Sequence, residues 1–374
     1  MREIRNQFPI TKNKIFLNHA GQSPLPKNVA DIIHQYVNDI SGLGSTSIEW
    51  EDGGKSYFAE LIGAKTKEIA FIENTSLGLN IAANVLDYSP GSKIVTTDLE
   101  YPSVVYPWLR KRLGVAVDYI KNINGKIMIE DVEKAVDDKT RALVISHVEY
   151  ANGFRHDLKA LGEIAHDHGA YLIVDAIQST GAVQVNVVQD EVDFLAASCY
   201  KWLLGPPGAG YLYVREDLID QFEPPLVGWA SVKKQVFETI DFFDIWKLEL
   251  SDSACRYEIG CPSFISLTGA KEAIKILLKY GMKKIERRIL SLTAYLIDLI
   301  NDLGLTLQTS EEQQHRSGIV NFIVKDPLKA VEKLSEKGII VAARTHGIRV
   351  SPHFYNSEEE IDKLIEEIKV IEEY

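Results

Sequence analysis

Two neighbouring apolar runs, Ala170-Tyr-Leu-Ile-Val-Asp175 and Val192-Asp-Phe-Leu-Ala-Ala-Ser-Cys-Tyr-Lys201, decide the fold of this chain. Each run is short and bounded by polar or Gly/Pro residues, which is typical of buried strands in a parallel sheet. The first run ends in a carboxylate and the second in a lysine. Open α/β sheets bind ligands at this edge, so the pair is either a structural ion pair or part of a ligand site. The nearby Gln178 and Ser198 favour the ligand site.

Strand and helix patterns alternate on the N-terminal side of these runs. Apolar runs predict strands over 68–73, 93–97, 115–120 and 142–148, and periodic patterns predict helices over 27–41, 105–112 and 158–168. This alternation predicts a doubly wound α/β domain with a mostly parallel sheet. No Gly-x-Gly-x-x-Gly sequence follows any of these strands, which argues against a dinucleotide-binding Rossmann domain.

The pattern changes after residue 215. Two long helices, over 263–280 and 282–303, precede strands over 319–324, 339–343 and 348–350, a helix over 327–336 and a last helix from residue 358. This order predicts a smaller α+β domain. We therefore divide the chain into an N-terminal arm (1–16), a large domain (17–250) and a small C-terminal domain (251–374).

Composition excludes several classes of partner. The formal net charge of −12 gives no general attraction for nucleic acid or for an anionic membrane. The three cysteines, Cys199, Cys255 and Cys261, form no CxxC and no metal-ligand spacing, so neither a disulfide scaffold nor a metal site is predicted. The N-terminus lacks the apolar region of a signal peptide, and no run approaches the roughly 18 apolar residues of a membrane span. We therefore expect a cytoplasmic protein.

The sequence Asn74-Thr75-Ser76 follows the strand over 68–73 and opens a helix with the apolar positions Leu77, Ile81 and Val85. Threonine or serine at a helix start commonly caps the helix. The free backbone N–H groups and the dipole of the same helix start can also bind an anion. The residues by themselves leave both interpretations open.

Three segments resemble one enzyme family over essentially the whole chain: Val174-Asp-Ala-Ile-Gln-Ser-Thr-Gly181, Val192-Asp-Phe-Leu195 and Lys201-Trp-Leu-Leu-Gly-Pro-Pro-Gly-Ala-Gly210. The chain is similar to the class V aminotransferases, which are fold-type I enzymes that use pyridoxal 5′-phosphate (PLP). It most resembles the isopenicillin N epimerase-like branch, with cysteine desulfurases and kynureninases as more distant relatives. The resemblance implies the fold-type I PLP-transferase fold, an amino-acid substrate and a homodimer with both active sites at the interface.

The resemblance also assigns roles to residues. Lys201 would form a Schiff base with PLP, because an amine nucleophile can become an imine. Asp175 would keep the pyridine nitrogen protonated, so that the ring can accept electrons from a breaking bond at Cα. Gln178 would donate a hydrogen bond to the phenolic oxygen of the cofactor. The phosphate would be held by hydroxyl side chains, namely Thr75, Ser76 and Ser198.

Further positions are implied around the substrate. Tyr101 would stack on the cofactor ring, although a core tyrosine is the alternative. Arg349 matches the family's carboxylate-binding arginine, but Arg344 lies five residues earlier and the sequence does not separate the two. Backbone amides near Ala20 and Gly21 are expected to help hold the carboxylate.

The chain departs from its relatives at four places. Tyr200 replaces a common histidine, Tyr150 replaces an asparagine of the desulfurases, and Cys261 stands where relatives often place a phosphate-binding threonine. The fourth departure is the loop Thr345-His-Gly-Ile348, which lacks the nucleophilic cysteine that desulfurases carry between two arginines. A desulfurase mechanism therefore lacks its sulfur acceptor.

Three functions remain as alternatives. The first is a PLP enzyme acting at Cα, as an aminotransferase or an epimerase-like protein. The second is a β-lyase or C–S lyase that needs no protein thiol, and the third is a catalytically silent PLP-fold protein. The intact Lys201 and Asp175 argue against the third. We expect specificity from side chains around Gln22, Trp229, His346 and His353, and we expect the segment 229–261 to reach the neighbouring subunit's cofactor.

Overall fold

The computed structural model describes residues 2–48, 52–233 and 246–373. Its helices are α1 (Arg2–Arg5), α2 (Lys27–Leu43), α3 (Lys55–Ile62), α4 (Thr75–Val85), α5 (Pro102–Val105), α6 (Ile129–Ala135), α7 (Leu158–Asp167), α8 (Glu216–Ile219), α9 (Phe264–Tyr280), α10 (Met282–Asp302), α11 (Pro327–Glu336) and α12 (Glu358–Glu373). Its strands are β1 (Ile15–Phe16), β2 (Ile69–Ile72), β3 (Lys93–Thr97), β4 (Ala116–Ile120), β5 (Thr140–Ser146), β6 (Tyr171–Asp175), β7 (Phe194–Ser198), β8 (Gly210–Val214), β9 (Val320–Ile323), β10 (Ile339–Ile340), β11 (Ala342–Arg344) and β12 (Gly347–Val350).

A seven-stranded sheet forms the centre of the protein, in the order β2-β8-β7-β6-β5-β3-β4. The pairs among β3 to β7 in this sheet are parallel, and β8 runs antiparallel to both β7 and β2. The fold class is therefore confirmed: an α/β protein with a mostly parallel central sheet. Because the strands run parallel, the carboxyl ends of β5, β6 and β7 meet at one edge.

Both faces of the central sheet are covered, which explains its near-continuous apolar strands. Val174 and Leu195 belong to one core cluster, which also contains α7 and α9 residues. Ile173 and Ala196 point to the opposite face and join a second cluster with residues of α4. All five residues of β7 are buried. The two apolar runs, Ala170–Asp175 and Val192–Lys201, predict strands buried on both faces rather than strands in which apolar and polar residues alternate.

The C-terminal strands form a separate antiparallel sheet in the order β11-β12-β9. A third core cluster lies between this sheet and the helices α10, α11 and α12. The N-terminal segment reaches this region, because β1 pairs in parallel with β10 and Asn18 bridges to Ser351. Helix α9, in contrast, contributes Leu267 and Ile274 to the same core cluster as Val29 of α2. The domain boundaries at residues 16 and 250 remain predictions.

The structure differs from the expected elements in a few places. The predicted helix over 105–112 does not form: α5 ends at Val105, and a separate 3-10 turn covers Lys111–Leu113. Pro107 lies between the two pieces and cannot donate an N–H to a continuing helix. The predicted strand over 339–343 is divided into β10 and β11. The aromatic-rich segment predicted to reach a partner lies, over 234–245, outside the described residues.

Candidate active site

The carboxyl edge of the central sheet opens into a cavity of about 260 Å³. Its lining is polar and includes every site residue that the sequence predicted: Thr75, Ser76, Tyr101, Asp175, Gln178, Ser198, Lys201 and Arg349. The other lining residues are Ala20, Gly21, Asn74, Ser103, Ser146, Tyr150, Ile177, Tyr200 and Arg344. The structure therefore brings together residues from widely separated parts of the chain.

One end of the cavity is formed by the start of α4 and the end of β7. The side chain of Asn74 caps α4 by accepting a backbone N–H of its first turn. Thr75 N donates to Ser198 Oγ at 2.7 Å, and Ser198 N donates to Thr75 Oγ1 at 3.0 Å. Ser76 Oγ and Ser103 Oγ lie 2.7 Å apart. Hydroxyl groups and the positive end of an 11-residue helix make this end suited to an anion.

Asp175 is the last residue of β6, and it is 3% exposed. Its Oδ1 accepts a hydrogen bond from Ile177 N at 2.9 Å. Burial raises the pKa of the Asp175 carboxyl to about 6, against the opposing effects of this hydrogen bond and of Lys201. Above that pH a buried carboxylate faces the cavity, where it can pair with a cation.

Lys201 follows β7 in the turn that leads to Gly208. Burial lowers the pKa of its amine to about 8, and Arg349 and Arg344 lower it further while Asp175 acts in the opposite direction. Among the described residues, the amine of Lys201 has no carboxylate within ion-pair distance. The structural ion pair with Asp175, the alternative that the sequence allowed, does not form. A lysine in this state reacts as an amine near neutral pH.

Gln178 is held by two hydrogen bonds. Its Nε2 donates to Ala20 O at 3.0 Å, and its Oε1 accepts from Trp202 Nε1 at 2.9 Å. One N–H of the side-chain amide is left for the cavity. Trp202, which is completely buried, fixes this orientation. This contact could not be predicted from local patterns, because it depends on the turn after β7.

Arg349 lies on β12 and is 1% exposed. Its Nη1 donates to Tyr150 O at 2.7 Å, while its buried Nε has no partner. Burial lowers the pKa of the guanidinium to about 10, and the neighbouring Arg344 adds to this effect. Arg344 stands at the other end of the hairpin and is exposed. The structure thus separates the two arginines by burial, and both line the cavity.

Three tyrosines border the cavity. The rings of Tyr101 and Tyr150 meet edge to face at a centroid distance of 5.2 Å. The amine of Lys201 lies 5.8 Å from the centroid of the Tyr200 ring. Tyr101 is 50% exposed, so the alternative of a core tyrosine is wrong. Its stacking role remains a prediction.

The expected helpers from the backbone are already bonded within the chain. Ala20 N donates to Ser351 Oγ at 3.0 Å, and Gly21 N donates to Asn18 O at 3.0 Å. Neither amide is therefore a free donor for a substrate carboxylate.

The residues expected to determine specificity lie elsewhere. None of Gln22, Trp229, His346 and His353 lines the cavity. His353 is completely buried, and its Nε2 is 3.1 Å from Trp202 O, so it supports the turn after β7 instead.

Two acidic residues next to the cavity, the half-buried Glu100 and the buried Glu149, were not predicted. Glu100 accepts hydrogen bonds from Ser146 N at 2.7 Å and Ser146 Oγ at 2.6 Å. Burial, with the nearby Glu149 carboxyl as a second cause, raises the pKa of Glu100 well above its usual range. Burial likewise raises the pKa of Glu149 to about 8. Glu100 follows β3 and Ser146 is the last residue of β5, so both lie at the same sheet edge as Asp175. This shared position was the available signal.

The cysteines lie outside the cavity. Cys199 is completely buried, and burial raises the pKa of its thiol. Cys255 Sγ accepts a hydrogen bond from Lys55 Nζ at 3.0 Å, and the exposed Cys261 borders a separate small cavity. The hairpin between β11 and β12 turns through only two residues, Thr345 and His346. It carries no cysteine, as the sequence indicated.

Comparisons with known proteins agree with this arrangement. The sequence matches the family described as Aminotransferase class-V over residues 15–364. An uncharacterized aminotransferase of Bacillus subtilis (strain 168), YcbU, is 31% identical over 369 residues, which is 98% of this chain and 96% of that protein.

Solved structures share the fold. The apo cysteine desulfurase from Thermococcus onnurineus NA1 superposes with a TM-score of 0.89 at 28% identity, covering 100% of this chain and 98% of that one. A C-DES mutant with glycine covalently linked to its PLP cofactor has a TM-score of 0.88 at 23% identity, covering 97% of this chain and 98% of that one, which shows a common fold.

The chain belongs to the class V aminotransferase family. Its members are PLP-dependent enzymes, and this class V chain is a PLP-dependent enzyme acting on an amino acid. The donor set of the cavity fits the cofactor. Hydroxyls and a helix start at one end suit the phosphate, the buried Asp175 suits a protonated ring nitrogen, and the amine of Lys201 suits covalent attachment.

Within residues 2–48, 52–233 and 246–373, no three His, Cys, Asp or Glu side chains are grouped so as to hold a metal ion. In the part of the chain that the structure describes, no helix is both long and apolar enough to cross a membrane.

Proposed function

We propose that this class V enzyme is an aminotransferase that uses Lys201 to attach the cofactor and to move the proton at the substrate's Cα. The observation that carries the proposal is the meeting of Lys201, Asp175 and Arg349 in one cavity of about 260 Å³. The chemistry that PLP supplies when bound is an electron sink for the bond broken at Cα. The residues of the chain bind and orient the cofactor and the substrate, and they move the proton at Cα.

Binding and orientation come from three groups of side chains. The hydroxyls of Thr75, Ser76 and Ser198, which lie together at one end of the cavity, would hold the phosphate, and the dipole of α4 would add to the attraction. Asp175 would hold the ring nitrogen and supply its counter-charge, and Gln178, fixed by its two hydrogen bonds, would donate its remaining N–H to the phenolic oxygen.

Arg349 holds the α-carboxylate of the substrate. Its orphaned Nε and its buried guanidinium favour an anionic ligand, because a buried donor without a partner costs about 1–3 kcal/mol. Tyr101, which is half exposed and lines the cavity, would stack against the cofactor ring.

Lys201 supplies the base. In the substrate complex the Lys201 amine would take and return the proton at Cα, and a pKa lowered to about 8 would leave part of it neutral at pH 7. A single base on one face suffices for transamination, whereas epimerisation needs a second acid–base group on the opposite face. Lys201 is the only lysine that lines the cavity among the described residues, but the tyrosines that border it are also acid–base groups. We favour transamination because the family matched is that of the class V aminotransferases, and product analysis separates it from epimerisation.

A desulfurase or C–S lyase is the second candidate, because a solved relative is a cysteine desulfurase. A desulfurase needs an exposed thiolate near the substrate. Cys199 is buried with a raised thiol pKa, and the β11–β12 hairpin carries no cysteine. We expect L-cysteine to leave no persulfide on the protein, and we expect a variant with all three cysteines replaced by serine to keep its main activity. A protein-bound persulfide found by mass spectrometry would contradict this.

One experiment tests the assignment. The PLP-loaded protein is mixed with a panel of L-amino acids and 2-oxoglutarate, and 2-oxo acids, D-amino acids, ammonia and sulfide are measured separately. We expect a 2-oxo acid to form with the wild type and none with Lys201→Ala, which should fold and bind PLP without a borohydride-reducible bond. D-amino acids would indicate an epimerase, and ammonia or sulfide a lyase. The absence of every product would favour the silent PLP-fold protein.

We further propose a cytoplasmic homodimer with both active sites at the interface, as the family resemblance implies. Exposed apolar side chains between residues 226 and 259 support an interface there, and they include Leu226, Val227, Trp229 and Ile259. The net charge of −12 gives no reason to expect a nucleic-acid partner.

A further inference from the structure

We propose that the preferred substrate of this site is an acidic amino acid, whose side-chain carboxylate binds Arg344 while Arg349 holds the α-carboxylate. The inference rests on the proposed function, because it places a second anionic group on the same amino acid. It starts from the charges that surround the cavity.

The charged side chains that line the cavity are mostly positive. Its lining side chains include three cations, Lys201, Arg344 and Arg349, and one carboxylate, Asp175. Neither arginine has an ion-pair partner within the described part of the chain. Lys201 would be bonded to the cofactor, and Arg349 would bind the α-carboxylate of the substrate. Arg344 is then left without an anion.

The β11–β12 hairpin brings the two arginines to the same face. Ala342 pairs with Arg349 across the two strands, so their side chains share a face. Arg344 lies two residues beyond Ala342 and has the same orientation. Such diagonal neighbours stand about 7–8 Å apart, which two carboxylates of one amino acid can span. Like charges at this spacing repel each other, and an anion with two carboxylates removes the repulsion.

Arg344 is held in position rather than carried on a long loop. Its backbone pairs with Gly347, and its carbonyl accepts hydrogen bonds from Asn321 Nδ2 at 3.3 Å and Thr345 Oγ1 at 2.6 Å. Thr345 takes a left-handed conformation (φ 51°), which closes the two-residue turn. The only hydrogen bond of the Arg344 guanidinium among the described residues is to Ala343 O at 2.7 Å. Most of its donors therefore remain for a ligand.

The phosphate of the cofactor does not account for Arg344. The hydroxyls and the helix start suited to that phosphate come from α4 and the end of β7, whereas both arginines come from the C-terminal hairpin. Arg344 is therefore left for the substrate.

Binding without turnover gives the sharpest test. The PLP-loaded protein is titrated in a calorimeter with glutarate, a dicarboxylate that lacks an amino group, and with butyrate, which has one carboxylate. We expect glutarate to bind tighter by about tenfold or more, the effect of one charge-assisted contact. Arg344→Gln should reduce this preference to about twofold or less and leave butyrate unchanged. Arg349→Gln should weaken both ligands.

The same variants are then compared with amino acids, using half-saturation of the cofactor's absorbance change by L-glutamate, L-glutamine and L-alanine. Arg344→Gln should remove the preference for glutamate over glutamine, while Arg287→Gln, which removes an exposed arginine from α10, should not. Equal losses for glutarate and butyrate in Arg344→Gln would overturn the inference, because both arginines would then bind one carboxylate. A wild type without dicarboxylate preference would also overturn it. If alanine gave product and glutamate did not, the inferred acidic substrate would be wrong while the proposed aminotransferase function would stand.

Discussion

At the scale of single residues, the role of Asp175 follows from the burial and the charge of its carboxyl group. Its carboxyl is buried with a pKa raised to about 6, so it gains most from a cationic partner in the cavity. Asp175→Asn should keep PLP but lose about a hundredfold or more in kcat, because an amide cannot supply the counter-charge of a protonated ring. Steady-state kinetics on fully loaded enzyme measure this. Asp118→Asn, at an exposed position, is the control, and near wild-type turnover in Asp175→Asn would refute the role.

The lowered pKa of the Lys201 amine predicts how the rate of PLP attachment depends on pH. The neutral amine is the form that attaches PLP, and it exists above the pKa. Because burial lowers that pKa to about 8, the rate of PLP attachment to the apoprotein should rise with pH through about 8 and level off above it. An ordinary lysine, with a pKa of about 10.4, would give a rate still rising beyond pH 9.5. Stopped-flow absorbance of the imine distinguishes the two profiles.

At the scale of elements, α4 must lie close to β7 to present its first turn to the cavity. A Cβ at Gly78 would lie 2.7 Å from Ala196 Cβ, so Gly78→Ala should push the helix away from the sheet. We expect a loss of about 1–3 kcal/mol in the free energy of unfolding together with weaker PLP binding.

The control for this prediction is Gly42→Ala in α2, where an added Cβ meets nothing within 4 Å. That variant should be more stable by about 0.5–1 kcal/mol, with unchanged PLP affinity, because alanine loses less backbone entropy in a helix. Urea unfolding and PLP titration measure both effects. Equal PLP affinity in Gly78→Ala and the wild type would show that the packing of α4 does not position the phosphate site.

At the scale of the whole molecule, we expect the protein to form a homodimer. Large apolar side chains such as Trp229 and Ile259 are 51% and 41% exposed, which is unfavourable unless another surface covers them. Light scattering should give twice the chain mass of 42.0 kDa. Ile259→Arg should shift the protein towards monomer and reduce activity, whereas Val188→Arg, at another exposed apolar position, should do neither. A fully active monomer would overturn the proposal.

The sequence by itself determined the sheet and the chemistry at its edge. The runs that end at Asp175 and Ser198 are buried on both faces, and this composition is visible without coordinates. Since parallel strands end at a common edge, the polar residues after them were predicted to meet, and Lys201 and Gln178 do line the cavity with Asp175. These predictions succeeded because each depends on local patterns and on one general property of parallel sheets.

Tertiary structure alone decided which neighbours each residue finds. The amides of Ala20 and Gly21 are bonded to Ser351 and Asn18, and His353 supports Trp202 rather than facing a substrate. The C-terminal hairpin, not sequence spacing, buries Arg349 and leaves Arg344 exposed on the same face. The contacts of Ala20 with Ser351 and of His353 with Trp202 join residues more than a hundred positions apart. No local pattern encodes them, because the free energy that selects them comes from long-range packing and not from the propensity of the segment.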